Sequence, residues 1–202
     1  MKLIAVTNDK MSTVELAETI IATEPYIDAV ILREKMKTDI EVINLIQKLV
    51  GSGVNQSKLI VHGRADIATL CGINKVQLPG HGAPLPLIKE HFPDLSFGRS
   101  VHSYDEAEIA VKAGASWLLY GHLFETNSKE GLPPRGTEEL SRIIESVAVP
   151  VYAIGGINPK HLSELQLAGV SGVAIMSSIF GSDDSVNAVK AYKEALHHVT
   201  KS

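Results

Sequence analysis

The sequence is poor in cysteine, has no long apolar run and carries no excess of positive charge. Its one cysteine, Cys71, excludes an internal disulfide and is typical of a reducing cytosol. No apolar run approaches the roughly twenty residues that cross a bilayer, and the apolar N-terminus is too short for a signal peptide. The net charge of −4 argues against nucleic acid as a partner. These absences predict a soluble, cytoplasmic protein that binds neither nucleic acid nor membrane.

The chain also lacks a glycine-rich loop after its first apolar run, and it lacks linkers and low-complexity segments. The missing loop disfavours an open, doubly wound sheet, and the missing linker predicts one domain over residues 1–202. What is present is a series of short apolar runs without polar alternation, as is typical of strands covered on both faces. The predicted strands are residues 3–7, 29–32, 58–61, 75–78, 96–98, 117–120, 149–154 and 172–176.

Longer amphipathic segments separate these strands, with apolar residues at helical spacing. The predicted helices are residues 12–23, 40–50, 104–113, 137–146, 159–168 and 186–199, while 51–57 and 64–71 give only short helical signals. Eight strand–helix pairs in 202 residues predict an α/β fold, a single (β/α)8 TIM barrel with short loops. In such a barrel the functional side chains follow the carboxyl ends of the strands.

Two of the predicted strands stop abruptly in small residues. Gly155 and Gly156 follow the seventh strand, and glycine lets backbone N–H groups approach a ligand closely. Ser177 and Ser178 follow the eighth strand and can open a helix, whose first N–H groups favour an anion. Neighbouring strand ends of this kind predict a phosphate-binding site and therefore a small phosphorylated ligand.

Polar side chains also follow other strands. Arg33 and Lys35 come directly after the second strand and are two residues apart, so they are expected to point the same way. Together they can hold a phosphate or a carboxylate. Ser100 follows the fifth strand, and without an elbow motif around it we expect it to donate a hydrogen bond to ligand rather than to act as a nucleophile.

The longest irregular segment, residues 125–136, follows the sixth strand. A loop of this length at the mouth of a barrel is typical of an element that covers the substrate. Thr126 and Lys129 lie in it and are expected to supply a hydroxyl and a cation to the ligand.

Four histidines, His62, His81, His102 and His122, fall near the ends of strands three to six. We do not predict a metal site, because the four strand ends are too far apart for all the imidazoles to meet and no supporting carboxylate pattern is visible. His122 ends a very apolar strand beside Gly121, which predicts a partly buried imidazole that takes and returns a proton. It is therefore the predicted catalytic base.

Taken together, these motifs resemble the thiamine phosphate synthase superfamily over nearly the whole chain. The matching segments are ILREK (31–35), LIVHGRADIA (59–68), GRSVHS (98–103), EA (106–107), GHLFETNSK (121–129), IGGI (154–157) and GVAIMSSI (172–179). The ordered set is specific, although each segment alone is weak.

Three departures distinguish this chain from the synthase pattern. His62 and Gly63 stand where the synthases have an Asn-Asp pair, and residues 77–84 lack the carboxylate that serves the magnesium accompanying pyrophosphate. His122 replaces a proline. This pattern is similar to the TenI-type thiazole tautomerase branch of the superfamily.

That resemblance implies an isomerase that aromatises a carboxythiazole phosphate by a 1,3-proton shift at His122. The phosphate would sit on the glycine and serine strand ends, while Arg33 and Lys35, helped by Ser100, bind the carboxylate. No metal and no cofactor is implied, and the partner is a small phosphorylated thiazole carboxylate. Two alternatives stay open: thiamine phosphate synthase activity itself, and a non-catalytic regulatory protein that senses a thiamine intermediate. Assembly into a homo-oligomer is also left open.

Overall fold

The chain folds into a closed barrel of eight parallel strands, seen in a computed structural model that describes residues 1–126 and 131–199. Each strand pairs with the next, and the last strand pairs with the first. The strands are β1 Lys2–Val6, β2 Ala29–Leu32, β3 Leu59–His62, β4 Lys75–Leu78, β5 Ser96–Val101, β6 Trp117–Gly121, β7 Val151–Ile154 and β8 Gly172–Ile175. The prediction of a (β/α)8 barrel is confirmed.

Helices connect the strands around the outside of the barrel. They are α1 Thr13–Thr23, α2 Asp39–Gly51, α3 Ala65–Leu70, α4 Leu85–His91, α5 Tyr104–Lys112, α6 Glu138–Ser146, α7 Leu162–Leu167, α8 Ser177–Phe180 and α9 Ser185–Val199. The starts of α1 and α2 are fixed by capping boxes, in which Ser12 pairs with Glu15 and Thr38 with Glu41. Among the described residues, no helix is long and apolar enough to span a bilayer.

Three differences from the sequence prediction go beyond a shift of one or two residues at the end of an element. Strand β5 runs on to Val101, so Ser100 lies within the strand rather than after it. The predicted helix over residues 159–168 begins as a single 3-10 turn, Pro159–His161, before α7. Helix α4 was not predicted, because its seven residues include Pro86 and offer too few turns for a periodic signal.

Apolar side chains form two cores, because successive residues of a strand point to opposite faces of the sheet. The larger core lies between the strands and the helices and includes Leu3, Leu45 and Val173. The smaller core fills the barrel interior and consists of Ile4, Val6, Ile31, Ile60, Trp117, Leu119, Tyr152 and Ala174. This inner core closes the barrel and supports the residues at its mouth.

Two polar side chains, Gln77 of β4 and Trp117 of β6, meet in the barrel interior across β5. The register aligns Gln77 with Gly98 and Gly98 with Trp117. A Cβ atom on Gly98 would lie 1.9 Å from the indole nitrogen of Trp117, so only glycine leaves room for the indole here. The indole thereby reaches across β5 to Gln77.

Candidate active site

A cavity of about 360 Å³ opens at the carboxyl ends of the strands. Every strand, or the loop after it, contributes to its wall, and Val6, Ile31, Leu119 and Ala174 link its floor to the inner core. All but one of the residues predicted for the site line this cavity: Arg33, Lys35, Ser100, His122, Thr126, Gly155, Gly156, Ser177 and Ser178. Lys129 lies outside the described residues.

The ends of β7 and β8 meet on one side of the cavity. Gly155 and Gly156 have φ angles of +100° and +68°, which strain any other residue type. A Cβ atom on Gly155 would lie 2.3 Å from the Cβ of His122, so the residues that follow β7 and β6 pack closely. The serines open α8 as expected, but α8 is a single turn of four residues. A helix of one turn has only a small dipole, so an anion here would be held by hydrogen bonds rather than by a long helix dipole.

The loop after β2 is held from two sides. From the β1 side, the hydroxyl of Thr7 accepts a hydrogen bond from the backbone N–H of Arg33 at 2.8 Å. Asp9 Oδ2 accepts from the backbone N–H groups of Lys35 and Met36, each at 3.0 Å. These contacts fix the backbone that carries the two cations.

From the β3 side, Arg64 donates to the carbonyl oxygens of Glu34 and Lys37 at 3.2 and 2.6 Å. The Glu34 side chain is buried and forms an ion pair with Lys37. Because Glu34 points away from the cavity wall, its neighbours Arg33 and Lys35 face the cavity together, as the alternation predicted.

The sequence analysis missed Thr7, Asp9 and Arg64 as residues that support the site. The available signals were the polar Thr-Asn-Asp run directly after β1 and an arginine two residues after β3, both at the functional end of the barrel. Their partners belong to other strand ends, and only the closed barrel brings them together.

Four histidines line the cavity, namely His62, His81, His102 and His122. Burial, together with the nearby charges of Arg33, Lys35 and His81, lowers the pKa of His62 to about 4. His62 is therefore neutral at neutral pH when nothing else is bound.

His102 and His122 are each held by a backbone carbonyl. His102 Nδ1 donates to the carbonyl oxygen of Gly121 at 2.6 Å, and His122 Nε2 donates to that of Leu132 at 3.2 Å. Because a carbonyl oxygen only accepts, each of these ring nitrogens carries a proton. In the neutral form, His122 then has Nδ1 as its acceptor. Its bond to Leu132 also ties the described part of the long loop to the cavity rim.

Ser100 belongs to the polar pair in the barrel interior. Gln77 Nε2 donates to Ser100 Oγ at 3.1 Å, while the indole of Trp117 donates to Gln77 Oε1 at 2.7 Å. The Ser100 hydroxyl accepts from Gln77 and keeps its own proton for donation into the cavity. Gln77 and Trp117 thus position the predicted ligand contact.

Comparison with known proteins gives a consistent result. The family model described as thiamine monophosphate synthase matches residues 3–179. A Pyrococcus furiosus protein named thiamine-phosphate synthase is 38% identical over 139 residues, which are 69% of this chain and 67% of that protein. A Methanococcus vannielii protein of the same name is 32% identical over 169 residues, or 83% of this chain and 82% of that protein.

A solved structure agrees with these relatives. The structure described as thiamine phosphate pyrophosphorylase from Pyrococcus furiosus matches with a TM-score of 0.82 and 31% sequence identity. The match covers 98% of this chain and 96% of that one.

The prediction of a thiazole tautomerase is wrong, and the isomerase class is not supported. The curated relatives that share 30–38% identity with this chain are named for the synthase. The three departures from the synthase pattern after β3, β4 and β6 do not identify a tautomerase. The cavity wall keeps the features that resemble the synthases. These are the glycines after β7, the serines after β8, and the two cations after β2, Arg33 and Lys35.

Proposed function

The chain belongs to the thiamine monophosphate synthase family, and we propose that it is a thiamine-phosphate synthase that couples a pyrimidine pyrophosphate to a thiazole phosphate. The observation that carries this proposal is that one cavity is lined by two separate sets of groups suited to bind anions. One is formed by Arg33 and Lys35 after β2, and the other by the strand ends of β7 and β8. Strand β1 separates β2 from β8, so two anionic substrates can lie side by side.

The reaction makes one bond and breaks one. The ring nitrogen of the thiazole uses its lone pair to form a bond to the methylene carbon of the pyrimidine. The carbon–oxygen bond to pyrophosphate breaks, and its electron pair leaves with the pyrophosphate. The nitrogen becomes positively charged and the leaving group gains negative charge. No proton needs to move between carbon atoms.

The chemistry therefore depends on placement of the substrates and on neutralising the leaving group. We assign the thiazole phosphate to Gly155, Gly156, Ser177 and Ser178, where backbone amides and hydroxyl groups meet the cavity. We assign the pyrophosphate to Arg33 and Lys35, because a guanidinium fork matches phosphate oxygens.

Three further residues of the predicted site fit between these two sets of groups. Ser100 has a hydroxyl proton to donate and is positioned by Gln77. Thr126 and His122 line the rim at the end of β6. We propose that all three hydrogen-bond the substrates, and that His122 orients a ring rather than shuttling a proton.

The synthases that this chain resembles use magnesium with pyrophosphate, and the described wall of this cavity does not fit that ion. Magnesium prefers carboxylate and other oxygen ligands. Among the described residues, the cavity lining contains no aspartate or glutamate, and no group of three or more His, Cys, Asp or Glu side chains could hold a metal ion. No step of the reaction is therefore assigned to a metal here.

Incubating the protein with the pyrimidine pyrophosphate and the thiazole phosphate, with and without magnesium, tests the proposal. We expect thiamine phosphate and pyrophosphate in equal amounts. Arg33→Ala should lower the rate about a hundredfold, as removal of one charge-stabilising group does elsewhere. Lys48→Ala, an exposed change on α2 far from the cavity, is the control and should leave the rate unchanged. Absence of product under every condition would overturn the proposed function.

A further inference from the structure

Three neighbouring strand ends bring four nitrogen-bearing side chains to one side of the cavity. Arg33 and Lys35 follow β2, His62 ends β3, and His81 lies in the loop after β4. The positive charges of Arg33, Lys35 and His81 each lower the pKa of His62, after burial as the largest cause. Because β2 pairs with β3 and β3 with β4, and all four side chains line one cavity, one bound anion can interact with them together.

Three carboxylates lie close to these residues in sequence but outside the cavity wall. Asp9 accepts two backbone N–H groups, Glu34 is buried against Lys37, and Asp66 is exposed on α3. None of the three lines the cavity. The described wall thus presents imidazole, ammonium and guanidinium groups where a magnesium site would present oxygen ligands.

We propose that His62 and His81, together with Arg33 and Lys35, neutralise pyrophosphate at this site in place of a divalent cation. The proposal rests on the proposed function only for its reaction, in which pyrophosphate is the leaving group. Binding of inorganic pyrophosphate can be measured without that reaction. The disagreement between the donor set of this cavity and the magnesium expected from the family is what supports the proposal.

Protonation of His62 is the step that lets an imidazole replace part of the metal charge. The groups that face it are Arg33 and Lys35 from β2, His81 from the β4 loop and the neutral Gln77 from β4. All the charged ones are positive, so the empty site holds His62 neutral. A pyrophosphate between these groups reverses the sign of the local field and raises the pKa of His62. The imidazole then takes up a proton and donates two N–H groups.

Calorimetric titration of inorganic pyrophosphate into chelator-treated protein tests this directly. We expect the Kd in EDTA to stay within about threefold of the Kd in magnesium. At pH 6, titrations in two buffers of different ionisation enthalpy should show uptake of up to about one proton per pyrophosphate beyond that of His62→Gln. A Kd that weakens about tenfold or more in EDTA, or equal proton uptake by wild type and His62→Gln, would overturn the proposal.

His81→Gln provides a second variant, because His81 is exposed and its replacement disturbs no packing. It should weaken pyrophosphate binding several-fold in EDTA, where the imidazole acts, and unchanged binding would count against its role. His91→Gln is the matched control. His91 lies on α4 outside the cavity, and its ring contacts only the carbonyl of Leu87 among the described hydrogen bonds.

The coupling assay separates failure of this inference from failure of the proposed function. Product that forms equally well in EDTA and in magnesium supports both. Product that forms only with magnesium leaves the synthase function standing and overturns the metal-free site. Metal-independent pyrophosphate binding without any coupling product supports the site and overturns the function.

Discussion

The indole nitrogen of Trp117 lies 2.7 Å from the side-chain oxygen of Gln77, although their strands, β6 and β4, are not neighbours. Gly98 on the intervening β5 makes this contact possible, because it has no side chain to block the indole. Gln77 is fully buried, so its amide oxygen has no water as an alternative donor. The pair is the polar centre of an otherwise apolar interior and lies directly below Ser100.

Trp117→Phe removes the donor and leaves the buried Gln77 oxygen without a partner. We expect the free energy of unfolding to fall by about 1–3 kcal/mol, measured by urea denaturation followed by circular dichroism. The double variant Trp117→Phe/Gln77→Leu removes both partners and should recover part of that loss. A double variant that loses as much as the sum of the single changes would argue against the hydrogen bond as the cause.

Asp9 does not line the cavity, but it fixes the backbone of the loop that carries Arg33 and Lys35. Asp9→Ala removes the acceptor for the N–H groups of Lys35 and Met36 and places alanine at a φ of +62°. We expect pyrophosphate to bind about tenfold more weakly in calorimetric titrations, since the loop loses its fixed position. Asp9→Asn keeps an acceptor and tolerates this φ, so it should retain most of the affinity. Equal loss in both variants would show that the hydrogen bonds are unimportant.

Gly155 is expected to be intolerant of any side chain. Gly155→Ala introduces a Cβ atom 2.3 Å from that of His122 at a φ of +100°. We expect loss of thiazole phosphate binding and a fall of about 2 kcal/mol or more in the free energy of unfolding. Gly53→Ala is the matched control, with a φ of +88° and open space around it. It isolates the backbone strain, and similar losses in both variants would exclude steric contact at Gly155 as the cause.

Stability should depend on pH through His62. Burial and nearby positive charges lower the pKa of folded His62 to about 4, against an unfolded value of 6.5. The unfolded chain therefore binds more protons between these values, and the free energy of unfolding should fall as pH drops from about 6.5 to about 4. The contribution is fully present above the unfolded pKa and amounts to up to about 3 kcal/mol.

Denaturation of wild type and His62→Gln across this pH range measures the effect. The variant should lose the part of the pH dependence that belongs to His62, while His91→Gln keeps it. Parallel pH profiles for wild type and His62→Gln would contradict the assignment.

The barrel and much of its mouth could be predicted because their signals are local. Uninterrupted apolar runs such as that of β6 mark strands covered on both faces, and Gly155 and Ser177 mark the ends of two of them. The common orientation of Arg33 and Lys35 followed from strand alternation alone.

The supporting contacts could not be predicted, because they depend on register and on residues far apart in the chain. Gln77 and Trp117 are forty residues apart, and Asp9 and Lys35 twenty-six. The function was misassigned for a related reason. His62 and His122 change the wall of the cavity, but a changed wall does not specify which reaction occurs inside it.

The inner core has a consequence for ligand traffic. Ile4, Trp117 and Tyr152 fill the barrel below the cavity, so in the described part of the chain ligands enter and leave the cavity at its rim and not through the barrel. Under the proposed function, both substrates and both products pass through this opening. A product that dissociates slowly blocks binding of the next pair of substrates. The rate of product release therefore limits how soon the next turnover begins.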